Sequence, residues 1–294
     1  MPLQVQRVCS LIGAWTSGAC NQSNGAGTDL RPGPASETQV ALIEVFAVHQ
    51  RNYLNLPAED RDRYIYRIIS VDRFKELLQG RHNTLVKPSS WGDPFENFIL
   101  KSRVRLETGE LASMDFHDQY YAQCWTLQTA SDAMWRIYSP NALSVRVRTT
   151  IRGLAESLSA TEGEWAGISV FIGRVQYLSN NKLLDFAQNV FRDGSPRKFA
   201  ETLLVKRPAF RHEREIRLIF FQRDASRKRQ PLYPYPLNST RLIDQVMTDP
   251  RLTSEQTDRL HCQIREMGFQ GPLKRSLLYA PPPNLVIPFG HFSS

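Results

Sequence analysis

Apolar positions along this chain follow two rhythms, one of every second residue and one of every third or fourth, and the two are interleaved from residue 36 almost to the C-terminus. The two-residue rhythm, rich in aromatic and β-branched side chains, predicts strands at 63–70 (RYIYRIIS), within NTLVKPSS, at 119–127 (QYYAQCWTL), at 143–149, at 168–178 and at 212–220. The longer rhythm predicts a helix over 36–56, where Ser36 and Gln39 have capping-box spacing. Further helices are predicted at 71–80, 131–139, 150–159, 181–192 and 196–205, and in LTSEQTDRLHCQIREMG, flanked by two closing strands. Residues 1–35 have no period and are rich in Gly, Ser, Asn and Pro, which predicts a flexible leader. The basic, Pro-rich stretch 222–238 reads as a projecting loop. Strands and helices this irregularly mixed predict one α+β domain over 36–294, with short strands in a mixed sheet and flanking helices.

One stretch breaks the usual logic of a half-buried strand. In HEREIRLI (212–219), Ile216, Leu218 and Phe220 share one face, while Glu213, Glu215 and Arg217 share the other with Ile219. Two carboxylates and a guanidinium therefore point the same way.

Charge sharpens that picture. The net charge of +8 is concentrated between Arg197 and Arg229, which hold eleven Lys and Arg against four acids. Such a patch attracts phosphates, in nucleic acid or in a small molecule, and Lys206, Arg207, Arg211 and Arg214 are expected to surround the two carboxylates and keep both ionised. At 41% hydrophobic and 22% charged, with no apolar run near the ~20 residues of a membrane helix, no membrane span is predicted. Four scattered cysteines (Cys9, Cys20, Cys124, Cys262) form no metal-ligand or disulfide spacing, which points to a reducing cytoplasm and no metal site.

No P-loop, dinucleotide-binding glycine motif, nucleophile elbow or H-E-x-x-H is present, so candidate chemistry lies where strands and loops carry unexpected polar or aromatic groups. In YIYRI, Arg67 emerges beside Tyr66 among apolar neighbours and is suited to hold a phosphate. In KPSSWGDPFE, Trp91, Asp93 and Glu96 crowd a tight turn. In CWTLQTASDAMWRIYS, Trp125 and Thr126 end a strand, and Trp135 and Tyr138 lie three apart on the next helix, where they can wall a flat ring.

In order, YIYR, KPSSWGDPFE, CWT, DAMWRIYS, VRVRT, VQY, KRPAFRHEREIRLI and LIDQVMTDP…KRSLLY resemble the bacterial family known as domain of unknown function 2971, over about residues 64–279. Gly92 stands where that family commonly has asparagine. A second resemblance is to ADP-ribosyltransferases, whose sites take an Arg or His strand, a strand ending in Ser or Thr, and a Glu strand, here Arg67, Thr126 and Glu213-x-Glu215. That resemblance implies NAD as substrate, with Glu215 on the ribose, Glu213 on the acceptor, Arg67 on the pyrophosphate and Thr126 on the nicotinamide ribose. Tyr66, Trp125, Trp135, Tyr138 and Arg217 complete the expected NAD-binding set. A toxin or phage-defence effector with a nucleic-acid or protein acceptor is the implied setting. Two alternatives stay open: a non-catalytic nucleic-acid or protein interaction module using the 197–229 patch, and a metal-dependent phosphodiesterase or nuclease using Asp93, Glu96, Glu213 and Glu215.

Overall fold

A computed structural model describes residues 48–280 and 286, apart from 97, 106–107, 114–116, 225, 227–229 and 238–241. The expected leader over 1–35 falls outside the described residues. The first half carries strands β1 (Tyr53–Leu54), β2 (Tyr64–Ser70), β3 (His82–Val86), β4 (Arg103–Arg105), β5 (Leu111–Ser113), β6 (Tyr120–Thr126) and β7 (Ser144–Thr150). Between them lie helices α1 (Val71–Gln79), α2 (Phe98–Lys101) and α3 (Asp132–Tyr138). There follow α4 (Ile151–Glu162), α5 (Ala166–Ser169), β8 (Val170–Arg174), β9 (Gln176–Tyr177), α6 (Asn180–Asp193), α7 (Pro196–Thr202) and β10 (Val205–Lys206). The described elements close with β11 (Glu215–Phe221), β12 (Leu232–Pro236), β13 (Gln245–Thr248), α8 (Ser254–Glu266) and β14 (Leu273–Arg275). The fold class is α+β, as the interleaved rhythms predict.

Ten of these strands form one mixed sheet in the order β1-β8-β11-β6-β2-β7-β13-β14, with β3 also on β6 and β12 on β3. Helices cover both faces. On one, Ile216, Leu218 and Phe220 pack with Trp125, Ile65, Val145, the α4 residues Leu154 and Leu158, and Phe74 of α1. On the other, Ile219 and Phe221 pack with Ala122, Phe171, Phe199 and Leu203. The helices start where their side chains can satisfy free N–H groups: Ser70 accepts from Arg73, Thr150 from Gly153, and Thr253 with Gln256 completes a capping box.

The sheet is nearly divided in two. β2 pairs with β7 over seven residues, but the ladder between β2 and β6 contains the single pair Tyr66↔Thr126. Beyond that bridge the strands part, and the residues that would have paired, Arg67 and Ile68 against Cys124 and Trp125, line a cleft instead.

Five expectations need correction. β11 is not half-buried: β6 and β8 flank it and all seven of its residues are buried, because both faces of the sheet are covered. Of the helix expected over 36–56, the described part is a 3-10 turn, Gln50–Asn52, and the strand β1, in which Tyr53 and Leu54 pair parallel to β8. The stretch 168–178 is broken into α5, β8 and β9, and the helix expected to reach 205 stops at Thr202, before β10. The loop expected at 222–238 contains β12, which tolerates Pro234 and Pro236 because among the described strands it pairs with β3 alone, leaving its other edge without need of an N–H donor.

Candidate active site between two diverging strands

Glu215, Thr126 and Tyr66 stand directly opposite one another on β11, β6 and β2, so strand pairing alone places them in one row on one face. With strands ~4.8 Å apart, the outer two backbones are ~10 Å from each other. The cleft at this row, about 140 Å³, is lined by Tyr66, Arg67, Cys124, Trp125, Thr126 and Tyr138, with both Glu213 and Glu215. Seven of the nine residues expected at a site thus meet in one hollow, Ile68 and Met134 completing it.

Glu213 reaches the hollow by a different route from the one its spacing implies. It ends a 3-10 turn over Pro208–Glu213, and Arg214 then adopts the left-handed conformation, at φ +44°, before β11 begins. The turn is pinned from β6 and the segment after it. The Thr126 hydroxyl donates to the Glu213 carbonyl and accepts from the Gln128 N–H, and the Gln128 side chain donates to the His212 carbonyl. Thr126, expected on the nicotinamide ribose, therefore spends its proton holding Glu213 in place. Glu215 is fixed through its backbone, whose N–H donates to the Tyr177 hydroxyl at 3.1 Å.

Beneath the cleft lies a buried ion cluster. Arg217, fully buried, donates from Nε and Nη2 to the two oxygens of Glu215 at 3.0 and 2.8 Å, from Nη2 to Glu96 at 2.6 Å, and from Nη1 to the Leu203 carbonyl at 2.7 Å, with its guanidinium 4.3 Å from the Trp91 ring centre. Lys206 Nζ lies 2.6 Å from Glu213, 2.9 Å from Glu96 and 3.6 Å from Glu215. Three carboxylates share two cations, which leaves one net negative charge at the cleft floor. Burial acts to raise the Glu215 carboxyl, but the Arg217 charge and hydrogen bonds, with Lys206, outweigh it and hold its pKa below the ordinary value. For Glu213 burial prevails over Lys206, and its pKa is raised. The expectation that four neighbouring cations surround both carboxylates is corrected by these contacts. Only Lys206 of those four touches them; Arg207 pairs with Asp93 at 3.1 Å, and Arg211 and Arg214 are exposed.

Arg67 stands on the opposite wall in a different state. It is half-buried, the protein packed around it lowers its pKa, and among the described residues it has no ion pair or hydrogen bond. It also lines a second cavity of about 140 Å³, with Arg73, His82, Asn83 and Thr84. A ligand filling both hollows would straddle the guanidinium.

Two expected NAD contacts do not reach the cleft. Trp135 is 1% exposed and points into the interior, while Tyr138 and Met134 on the same helix line the opening. Arg217 is saturated by protein partners and supports Glu215 from below. Of the 197–229 patch, Lys206 and Arg217 are interior and take no part in a basic surface. The four carboxylates of the nuclease alternative make no ligand cluster: among the described residues no group of three His, Cys, Asp or Glu could hold a metal, and each of the four lies against Lys or Arg. Sequence reasoning named Lys206 only as one of four surrounding cations, without placing it in the interior, and missed Tyr177 as the anchor of Glu215. A lysine directly after the apolar run LLV, ahead of Arg207-Pro208, was the available signal for Lys206.

No described helix is long and apolar enough to cross a membrane. No family model matches the chain, so membership of the family of unknown function 2971 is not shown. No curated protein matches it either. Among solved structures it is similar to Thermus sp. 2.9 DarT in complex with carba-NAD+, at 13% identity and a TM-score of 0.34, covering 75% of this chain and 97% of that one. The complex of the same protein with NAD+ gives 12% identity and a TM-score of 0.35, over 76% and 98% of the two chains. Its complex with ADP-ribosylated ssDNA gives 12% and 0.35, over 76% and 97%. At these values the likeness is weak in both sequence and superposition, and the chemistry of the cleft has to be read from its own residues.

Proposed function

We propose that this chain is an ADP-ribosyltransferase-like enzyme that cleaves NAD in the cleft between β2 and β6. The observation that carries the reading is the polarity of that cleft: an unneutralised cation, Arg67, on one wall and the net-negative Glu213–Glu215 cluster on the other. NAD matches both, with an anionic pyrophosphate and a ribose carbon that turns cationic as the bond to nicotinamide breaks.

In the proposed reaction Arg67 holds the pyrophosphate, and Tyr66, Trp125 and Tyr138 offer aromatic surface to the nicotinamide. Glu215, kept ionised, accepts a hydrogen bond from a ribose hydroxyl and stabilises the oxocarbenium-like state. As the C1′–N bond breaks, its electron pair neutralises the nicotinamide nitrogen. The acceptor then bonds to C1′ and passes its proton to Glu213, whose raised pKa makes it the better base of the two. Exposed Arg211, His212 and Arg214 flank Glu213 and favour a polyanionic acceptor such as nucleic acid. A toxin or phage-defence role belongs to this same reading.

Incubation of the full chain with NAD, with nicotinamide and ADP-ribose products quantified by chromatography, tests the proposal. Nicotinamide release that depends on the protein supports it; no turnover and no NAD binding at millimolar concentration overturns it.

A further inference from the structure

A third cavity, of about 380 Å³, opens at the far end of β11 from Glu215, where Phe221 joins Phe171 in its lining. Phe221 lies six positions along the strand from Glu215, a span of ~20 Å, so the cleft and this cavity are separate places. Its volume is within the ~300–1,000 Å³ of small-molecule sites.

Three features of the lining define a ligand. Two aromatic rings, Phe171 and Phe221, supply apolar surface for a flat group. Arg51, Arg197 and Arg223 bring positive charge against the single acid Asp193 among the described lining residues. Of these, Arg223 makes no described ion pair and lies 4.1 Å over the Trp165 ring, while Arg197 reaches the Arg51 carbonyl at 3.0 Å and Glu201 at 3.5 Å. The third feature is an unmet acceptor. Asn52 is 1% exposed and spends its amide N–H groups on the carbonyls of Ala166, Gly167 and Val170, so its orientation is fixed, yet its Oδ1 has no partner. A buried oxygen left so is destabilising, and a ligand N–H would recover that loss.

The geometry points to a second, non-catalytic site for a nucleoside monophosphate whose base carries an amino group: base against the phenylalanines, amine to Asn52 Oδ1, phosphate on the arginines. This site is independent of NAD cleavage.

Calorimetric titration of adenosine 5′-monophosphate into the full chain tests it, in wild type, in Arg67→Ala and in Arg197→Ala/Arg223→Ala, with thermal melts confirming that each is folded. The expected result is a binding component that Arg67→Ala leaves intact and the double variant weakens by about tenfold or more. Purine riboside 5′-monophosphate, which lacks the amine, binds that component about fivefold more weakly. The inference is overturned if no component survives Arg67→Ala, if the double variant binds like wild type, or if inorganic phosphate or the amine-free nucleotide binds as tightly as the adenylate.

Discussion

Glu215 and Arg217, two residues apart on β11, hold each other through two hydrogen bonds with the carboxylate 5% exposed and the guanidinium fully buried. The pair gives the cleft an anion that is ionised and immobile, which is what electrostatic stabilisation of a developing positive charge needs. It also makes the fold depend on the site.

Arg217→Met leaves Glu215 and Glu96 buried with only Lys206 for compensation, and is expected to cost about 3–5 kcal/mol in urea unfolding. Arg217→Lys recovers little, because a lysine cannot make the forked contact. A cost under 1 kcal/mol would show the pair to be incidental to stability.

The same pair predicts an acid-labile fold. A carboxyl whose pKa is lower in the folded chain contributes stability above its unfolded pKa and loses it as pH falls through the folded value. Wild type should therefore lose stability below pH ~4.5 more steeply than Glu215→Gln, with the difference developing toward the lowered Glu215 pKa. Melting temperatures across acidic pH measure this, and parallel curves would contradict it.

Arg67 should show the reverse trade. A half-buried guanidinium without a described partner costs folding energy, so Arg67→Met is expected to melt no lower than wild type while binding NAD about tenfold or more weakly. Equal NAD affinity in calorimetry would remove Arg67 from the ligand site.

In the proposed reaction Thr126 acts through Glu213, to whose carbonyl its hydroxyl donates, rather than on substrate. Thr126→Val should lower transfer about tenfold, with NAD affinity nearly unchanged, and Thr126→Ser should restore most of it because the hydroxyl bridge is kept. A Kd that rises as much as kcat falls would place the hydroxyl on NAD instead.

Much of this site was readable from residue order. The aromatic and β-branched runs define β2, β6 and β11, and the polar residues within them, Tyr66, Arg67, Trp125, Thr126 and Glu215, reach one hollow because those strands are neighbours. What was not readable depends on contacts between distant segments. The alternation in EIRLI looks amphipathic because Glu215 and Arg217 neutralise each other, and no local pattern tells an internal ion pair from a wet surface. Lys206 comes from the two-residue strand β10, and its place under Glu213 depends on the left-handed turn at Arg214. Trp135 and Tyr138 share a helix, but only packing decides which enters the core and which faces the cleft.

The most direct test is the split between binding and chemistry in Glu215→Gln, a near-isosteric change that keeps the folded cleft but removes its fixed charge. Nicotinamide release from NAD should fall about a hundredfold or more while the Kd for NAD stays within about threefold of wild type. Release at the wild-type rate, with the variant folded and saturated with NAD, would contradict the account.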